Sequence, residues 1–478
     1  MTLRNVYLAL AIPFASLALA SNVAATALAS QSPLSTDEAD ALRASARQSY
    51  LADFALAPPT VYDNARSTTD APLVPLTWSE QRIRVIDGTG FGSSIAVSGN
   101  VAFVGAYSTN NYQGAVYVYQ RGVQCSVTNS CLWVQKQRLV ASDGAPGTLF
   151  GLSVAFDGAT ALVGARSAAV DGHQNQGAVY VYSREGSRSF VQTQKLTAAD
   201  GLAEDCFGGS VTVVGSDALI GAPFCSGTNY VLDGHGSAYR YSRDASGLWA
   251  VAQKFVASDG GFTESFGGAV AIDADTAMIG ASSAFQYGHY DVGAVYVYKK
   301  QCFANGCNPG WLEKQKLIGS PTSTGKEFGG SIAFDGTHLL VGSEWALTGD
   351  PNLPLQLSAG AVYAFTQTNG EWVQQQQLLA SDSYRNWRFG GSVTLSGSTA
   401  VVGATGVGWP NTITGAAYVF EMNNGTWIEV QKLAASDGTP NDFFGSSVGI
   451  ANYGGVLVGA FQGLNNSGQG MLYTYDKQ

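Results

Sequence analysis

Four kinds of side chain in this sequence are equipped for chemistry, and their spacing separates them. Three of the four histidines, His173, His235 and His289, fall in corresponding loops along the chain, which raises a metal site. Ligating histidines usually pair at short range, and no His-Glu-x-x-His or similar pair is present. His235 is also offset relative to the strand that follows it. No metal ligand is assigned. The loop carboxylates Asp233, Asp291 and Asp350 would support glycoside chemistry if two of them stood at the right separation. No Gly-x-Ser-x-Gly elbow offers a serine nucleophile, and no catalytic residue is assigned. The fourth kind is aromatic. Trp345, Tyr384, Trp387 and Trp409, with Arg385 and Asn386 beside them, lie in three successive loops. Flat rings flanked by a guanidinium suit stacking on sugar rings or peptide side chains, which is chemistry of binding. The competing reading is that these rings plug their loops and cover strand edges.

The elements that must position these residues follow from composition. Only 13% of the 478 residues are charged, and polarity comes from Ser, Thr, Asn, Gln and 59 glycines. That balance suits short strands joined by many turns. A net charge of −10 without a basic patch excludes nucleic acid as a partner. Residues 1–29 read as a secretory signal: Arg4, an apolar run from Val6 to Ala20 interrupted by Pro13, and small-residue cleavage sites at Ala18-Leu19-Ala20 and Ala27-Leu28-Ala29. The alternative for this segment is a membrane anchor, for which the run is short. No membrane span is expected after the signal is removed. Residues 30–75 read as a linker or propeptide. Ser35-Thr36-Asp37-Glu38 is placed to cap a short helix through Ala39 to Arg43, and Pro58-Pro59 and Pro72 break the chain beyond it.

From residue 76 to 478 the chain repeats. Phe-Gly recurs at Phe91, Phe150, Phe207, Phe266, Phe328, Phe389 and Phe444, at intervals of 55 to 62 residues. Each copy opens an alternating strand, then a tight turn. An apolar strand follows, ending at Gly105, Gly164, Gly221, Gly280, Gly342, Gly403 or Gly459. After a variable loop comes Gly-Ala-Val-Tyr-Val-Tyr or a variant of it, and the unit closes on an aromatic residue and a Gln-Lys-Leu-like strand. One such four-stranded sheet cannot bury both faces. Seven packed face to face around an axis can, so the fold class is all-β, a seven-bladed β-propeller. The seventh unit ends before its Gln-Lys-Leu strand, and a spare copy stands ahead of the first Phe-Gly. Trp78 to Val85 is therefore expected to complete the last blade and close the ring.

The same strand map pairs the cysteines. Cys125 and Cys131 flank the loop between the third and outer strands of the first unit, and Cys302 and Cys307 the matching loop of the fourth. Cys206 and Cys225 lie at neighbouring strand ends in the third. Three local disulfides result, which suit an oxidising compartment and leave no thiol nucleophile.

The Phe-Gly, Gly-Ala and Gly-Ala-Val-Tyr-Val-Tyr elements, in this order over residues 78–475, resemble the FG-GAP repeats of integrin α subunits and of many bacterial exported proteins. The resemblance implies a propeller that binds other molecules through one face, often in adhesion. The family frequently carries an Asp-x-Asp-x-Asp-Gly calcium loop, which is absent here. Asp157-Gly158 and Asp335-Gly336 are short turns, and Asp273-Ala274-Asp275 offers only two carboxylates, so calcium is not transferred and no cofactor is expected. The Asp-Gly pairs at Asp143, Asp259 and Asp437 read as turns.

Variable loops on a rigid scaffold are where binding concentrates. The function expected is a secreted, periplasmic or cell-surface module that engages a surface glycan or extracellular protein, with Trp345, Tyr384, Arg385, Trp387 and Trp409 as the candidate ligand-binding residues. The alternatives are an enzyme acting on extracellular polysaccharide and a structural protein of the cell envelope.

Overall fold

The computed structural model describes residues 78–477, apart from residue 86 and the segments 123–130, 187–188, 226–235, 260–262, 285–291, 303–308, 321–325, 349–356, 409–412 and 463–467. The signal, the linker and its helix lie outside the described residues.

Seven four-stranded antiparallel sheets make up the fold. In blade 1 the strands run in chain order from the axis outward: Phe91–Ser98, Val101–Ala106, Ala115–Arg121 and Trp133–Leu139. The next five blades repeat this order. The seventh is built from both ends of the propeller, with Phe444–Ile450, Val456–Ala460 and Met471–Lys477 followed by Trp78–Ile83 as the outermost strand. Trp78 pairs with Lys477 and Ile83 with Leu472, which realises the expected closure with a strand two residues shorter than the segment to Val85. In the first six blades the register slips once between the third and outer strands, just before the second aromatic of the Tyr-Val-Tyr motif or its equivalent. Such bulges raise the local twist of a sheet.

Core packing lies between the blades. Each Phe of Phe-Gly is buried and meets the first aromatic of the motif edge-on, as in Phe91 with Tyr117 and Phe150 with Tyr180, both with centroids 5.5 Å apart. A buried phenylalanine contributes roughly 1.5–3 kcal/mol, and seven repeat the arrangement around the ring.

Two ladders of side-chain hydrogen bonds join neighbouring blades. Near the axis, Ser94, Ser153, Ser210, Ser331, Ser392 and Ser447 each donate to the carbonyl of the next blade's Phe-Gly glycine, at 2.7–2.8 Å. Ala269 stands at this position in blade 4. At the rim, the Gln of Gln-Lys-Leu accepts from the N–H and donates to the C=O of the aromatic residue on the next outer strand. Gln194 does so with Trp249 and Gln81, on the closing strand, with Trp133. Six glutamines clamp in this way; the seventh, Gln431, bonds to the carbonyl of Lys432 instead.

Candidate functional site

The loops between second and third strands and the segments leading into Phe-Gly share one face, because they bond to each other. Gly114 bridges to Phe150, Gly360 to Phe389 and Gly415 to Phe444 in parallel sense. Leu149 N–H donates to Tyr112 C=O at 2.9 Å, so each loop is pinned to the start of the next blade.

On this loop face the repeated polar residues are already engaged. Asp143 accepts from Tyr180 Oη at 2.6 Å and from Lys195 Nζ at 2.6 Å. Asp200 accepts from Tyr239 and Lys254, Asp259 from Tyr296 and Lys316, and Asp382 from Tyr418 and Lys432. Asp437 does the same with Tyr473 and Arg82, and Asp87 with Tyr117 and Arg138. Burial alone would raise the Asp143 carboxyl, but the Lys195 and Tyr180 bonds outweigh it and hold the group below its ordinary value. Burial and the nearby carboxylate push the Tyr180 phenol up. In blade 5 both charged members are missing together: Gln377 replaces the lysine and donates to Tyr363 Oη, and Pro321 stands at the aspartate's place in the sequence. The aspartates read as turn residues are thus also acceptors that tie each connecting segment to the following blade.

What differs from blade to blade is the ring of residues that follow the Gly-Ala or Gly-Ser dipeptide of the second strand. The Gly before it recurs in all seven, yet the ring reads Tyr107, Arg166, Pro223, Ser282, Glu344, Thr405 and Phe461. The residues just before Phe-Gly vary as widely: Gly90, Leu149, Cys206, Ser265, Glu327, Arg388 and Phe443. All seven of these hold a positive φ, between 54° and 70°. A shallow polar cavity of about 270 Å³ lies between the innermost strands, lined by Ser93, Ser153, Ser210, Ser331, Ser392 and Ser446 among others.

The aromatic residues singled out in the sequence divide into two groups. Tyr384 and Trp387 come together, with ring centroids 6.2 Å apart. Trp387 is half-buried against the core shared by blades 5 and 6, and Lys432 lies 5.1 Å from its ring. Its position, two before Phe-Gly, is occupied in other blades by Asp205 and Asp442, whose carboxylates cap the same turn. Trp345 instead receives Arg388, whose guanidinium carbon sits 4.7 Å from the ring centroid. Ser358 stitches the two segments: its hydroxyl donates to Trp345 C=O, and its carbonyl accepts from Asn386 N–H. The loop of blade 5 forms a small ladder of its own, Leu347–Thr348 with Leu357–Ser358. Arg385 is half-buried in the segment that carries Tyr384, and Trp409 lies outside the described residues. Glu344 is held above its usual range by burial, partly offset by Arg388 and a hydrogen bond from Trp345.

Sequence reasoning missed a second aromatic group, where ring closure brings blades 7 and 1 together. Tyr112 and Tyr107 have centroids 6.5 Å apart, Tyr107 and Phe461 6.5 Å, and Phe461 stacks on Phe443 at 5.4 Å. Arg166 of blade 2 adjoins Tyr107. Chain separations of several hundred residues hid this row; aligning the repeats at the position after Gly-Ala would have exposed it.

His173 Nδ1 lies 3.2 Å from the carbonyl of Gly201, while His235, His289, Asp233, Asp291 and Asp350 lie outside the described residues. Asp157, Asp273 and Asp335 spend a carboxylate oxygen on the backbone N–H groups of their own turns. Cys206 and Cys225 are joined, with Cα atoms 5.9 Å apart. Cys131 is disulfide-bonded; its expected partner Cys125, the Cys302 side chain and Cys307 lie outside the described residues. Among the described residues no helix is long and apolar enough to cross a membrane.

A search of curated proteins finds no match. The family model described as FG-GAP repeat matches at residues 133–182, 190–241, 249–298, 311–365, 372–420 and 427–475. Each match begins on the outer strand of one blade and ends in the third strand of the next, so the sequence repeat is offset from the blade. That offset leaves one outer strand at the N-terminal end to close the ring. With six repeats covering more than half of its length, and a seventh of the same design at Trp78–Tyr119, the chain belongs to the FG-GAP repeat family.

Proposed function

We propose that this propeller is a binding module that engages an extracellular glycan or protein through its loop face, with Trp345, Tyr384, Arg385, Trp387 and Trp409 as one contact platform. FG-GAP propellers suggest ligand-binding or protein-interaction roles, and fold alone goes no further. The observation that carries the reading is the contrast between repeat and mouth. Gln, Ser, Tyr, Asp and Lys recur and are consumed in joining blades, whereas the residues around the mouth differ in all seven. A scaffold alone has no use for seven different side chains at equivalent, partly exposed places.

Within the platform Trp387 is the anchored floor, since it rests on the core, and Tyr384 and Arg385 are the reachable partners. Export through residues 1–29, with residues 30–75 as linker or propeptide, belongs to the same proposal. The Cys206–Cys225 disulfide supports it, because such bonds persist outside reducing compartments.

The test is binding of the chain to a broad glycan array and to a panel of extracellular proteins, beside the double variant Tyr384→Ala/Arg385→Ala. Binding that falls at least tenfold in a variant with unchanged unfolding supports the platform. Binding that the variant retains in full removes it.

A further inference from the structure

We propose that the loop face carries a second site, on the seam of blades 7, 1 and 2, which takes an acidic sugar chain: its rings lie along Tyr112, Tyr107, Phe461 and Phe443, and a carboxylate pairs with Arg166. This rests on the reading of the loop face as the binding face but not on the platform of blades 5 and 6.

The site is a row. Four rings follow one another at centroid steps of 6.5, 6.5 and 5.4 Å, and all four remain partly exposed, Tyr112 by 52%. Most aromatic residues in this fold are buried in the blade cores, so a run of four that are only partly covered is set apart from the packing pattern. A pyranose ring presents an apolar C–H face that packs on an aromatic ring, with hydroxyls directed to water at its edge. Successive rings in a line therefore suit a polymer of ring-shaped units better than a peptide, which would need unpaired backbone groups to bond.

Arg166 supplies the charge preference. Its Nε is buried with no hydrogen-bond partner among the described residues, and the group acting on its charge is the Tyr107 phenol rather than a carboxylate. Burial holds this guanidinium below its ordinary value, as expected of a cation that lacks a counter-ion. Several other arginines carry an acid partner, Arg121 with Asp476, Arg240 with Asp217 and Arg82 with Asp437, and Arg243 is satisfied by Thr160 Oγ1 and the Gly215 carbonyl. A half-buried guanidinium without an acid, beside Tyr107 in the row of rings, is complementary to a carboxylate borne on a sugar, and a forked donor set fits that group well.

The experiment is calorimetric titration of the full chain with a four-residue oligogalacturonate, the same oligomer with its carboxyls reduced to alcohols, and a tetraglutamate peptide. Arg166→Gln and Tyr112→Ala are run beside wild type; Tyr112 is exposed enough that its removal leaves the core intact. Expected are binding of the uronate, at least tenfold weaker binding of the reduced oligomer, and a tenfold to hundredfold loss in Arg166→Gln, the usual effect of deleting a charged hydrogen bond. Tyr112→Ala weakens binding severalfold, and Tyr384→Ala/Arg385→Ala leaves it unchanged, which separates this site from the platform. Absence of uronate binding overturns the proposal, as does equal binding of the reduced oligomer. Tetraglutamate binding as tightly as the uronate also overturns it, in favour of an acidic peptide.

Discussion

Gly459 approaches Gly92 so closely that a Cβ on Gly459 would lie 2.0 Å from the Gly92 carbonyl oxygen. The two residues belong to the last and first blades, and Ser447 donates to the same oxygen at 2.7 Å. The equivalent contact recurs at every blade boundary, from Gly105 against Gly151 to Gly403 against Gly445. Close backbone approach is thus what the recurring Gly-Ala or Gly-Ser dipeptide provides.

Gly459→Ala should therefore force blades 7 and 1 apart and cost at least about 2 kcal/mol, the scale of overpacking a tight interior. Gly99→Ala is the comparison, since its Cβ would meet nothing within 4 Å and only its positive φ is penalised. That change should cost about 1–2 kcal/mol, the penalty of a Cβ in the left-handed region, and less than Gly459→Ala. Urea unfolding of both variants checks the difference.

Gln194→Ala should destabilise by about 1–3 kcal/mol, because it leaves the Trp249 N–H and C=O without their partners. Gln431→Ala removes the same side chain where no clamp exists. Its cost should stay within about 0.5 kcal/mol. Equal losses in the two variants would refute the clamp's role.

The aspartate triads set a pH dependence. Asp143, Asp200 and Asp259 all sit below their ordinary values: burial acts to raise each, and its bonds to lysine and tyrosine overcome that effect. A depressed carboxylate contributes stability above its unfolded value, near 3.9, and loses it as pH falls through the lower folded value. These side chains are 40–55% exposed, so screening limits each pair to roughly 0.2–1 kcal/mol. The triple variant Asp143→Asn/Asp200→Asn/Asp259→Asn should be less stable than wild type at pH 7, and the gap should narrow by pH 3. A gap that is constant with pH would show that the ion pairs contribute nothing.

Much of the fold was legible because its signals are local and repeated. Phe-Gly marks each blade, and the missing last strand with a spare copy at Trp78 announces the closure. The triads were less visible: Asp143 lies 37 residues from Tyr180 and 52 from Lys195, and Asp-Gly already has a sufficient explanation as a turn. Comparing the repeats reveals them, since Pro321 and Gln377 depart from the pattern together. The site was only partly legible. Trp345 and Trp387 lie in successive loops whose segments are joined through Ser358, yet each faces its own cation, Arg388 and Lys432. Tyr107 and Phe461 are far apart in sequence and meet only because the ring closes.

Loop-face recognition is tested most directly by comparing the two faces. One variant carries Tyr112→Ala, Tyr384→Ala and Arg385→Ala on the loop face. The other carries Glu185→Ala, Leu248→Ser and Glu371→Ala in the hairpins opposite, all exposed. Both are titrated with the glycan or protein that the wild-type chain binds, after their unfolding midpoints are matched to wild type. Binding lost in the loop-face variant and kept in the hairpin variant is the result predicted. Binding lost in the hairpin variant and kept in the loop-face variant would contradict it.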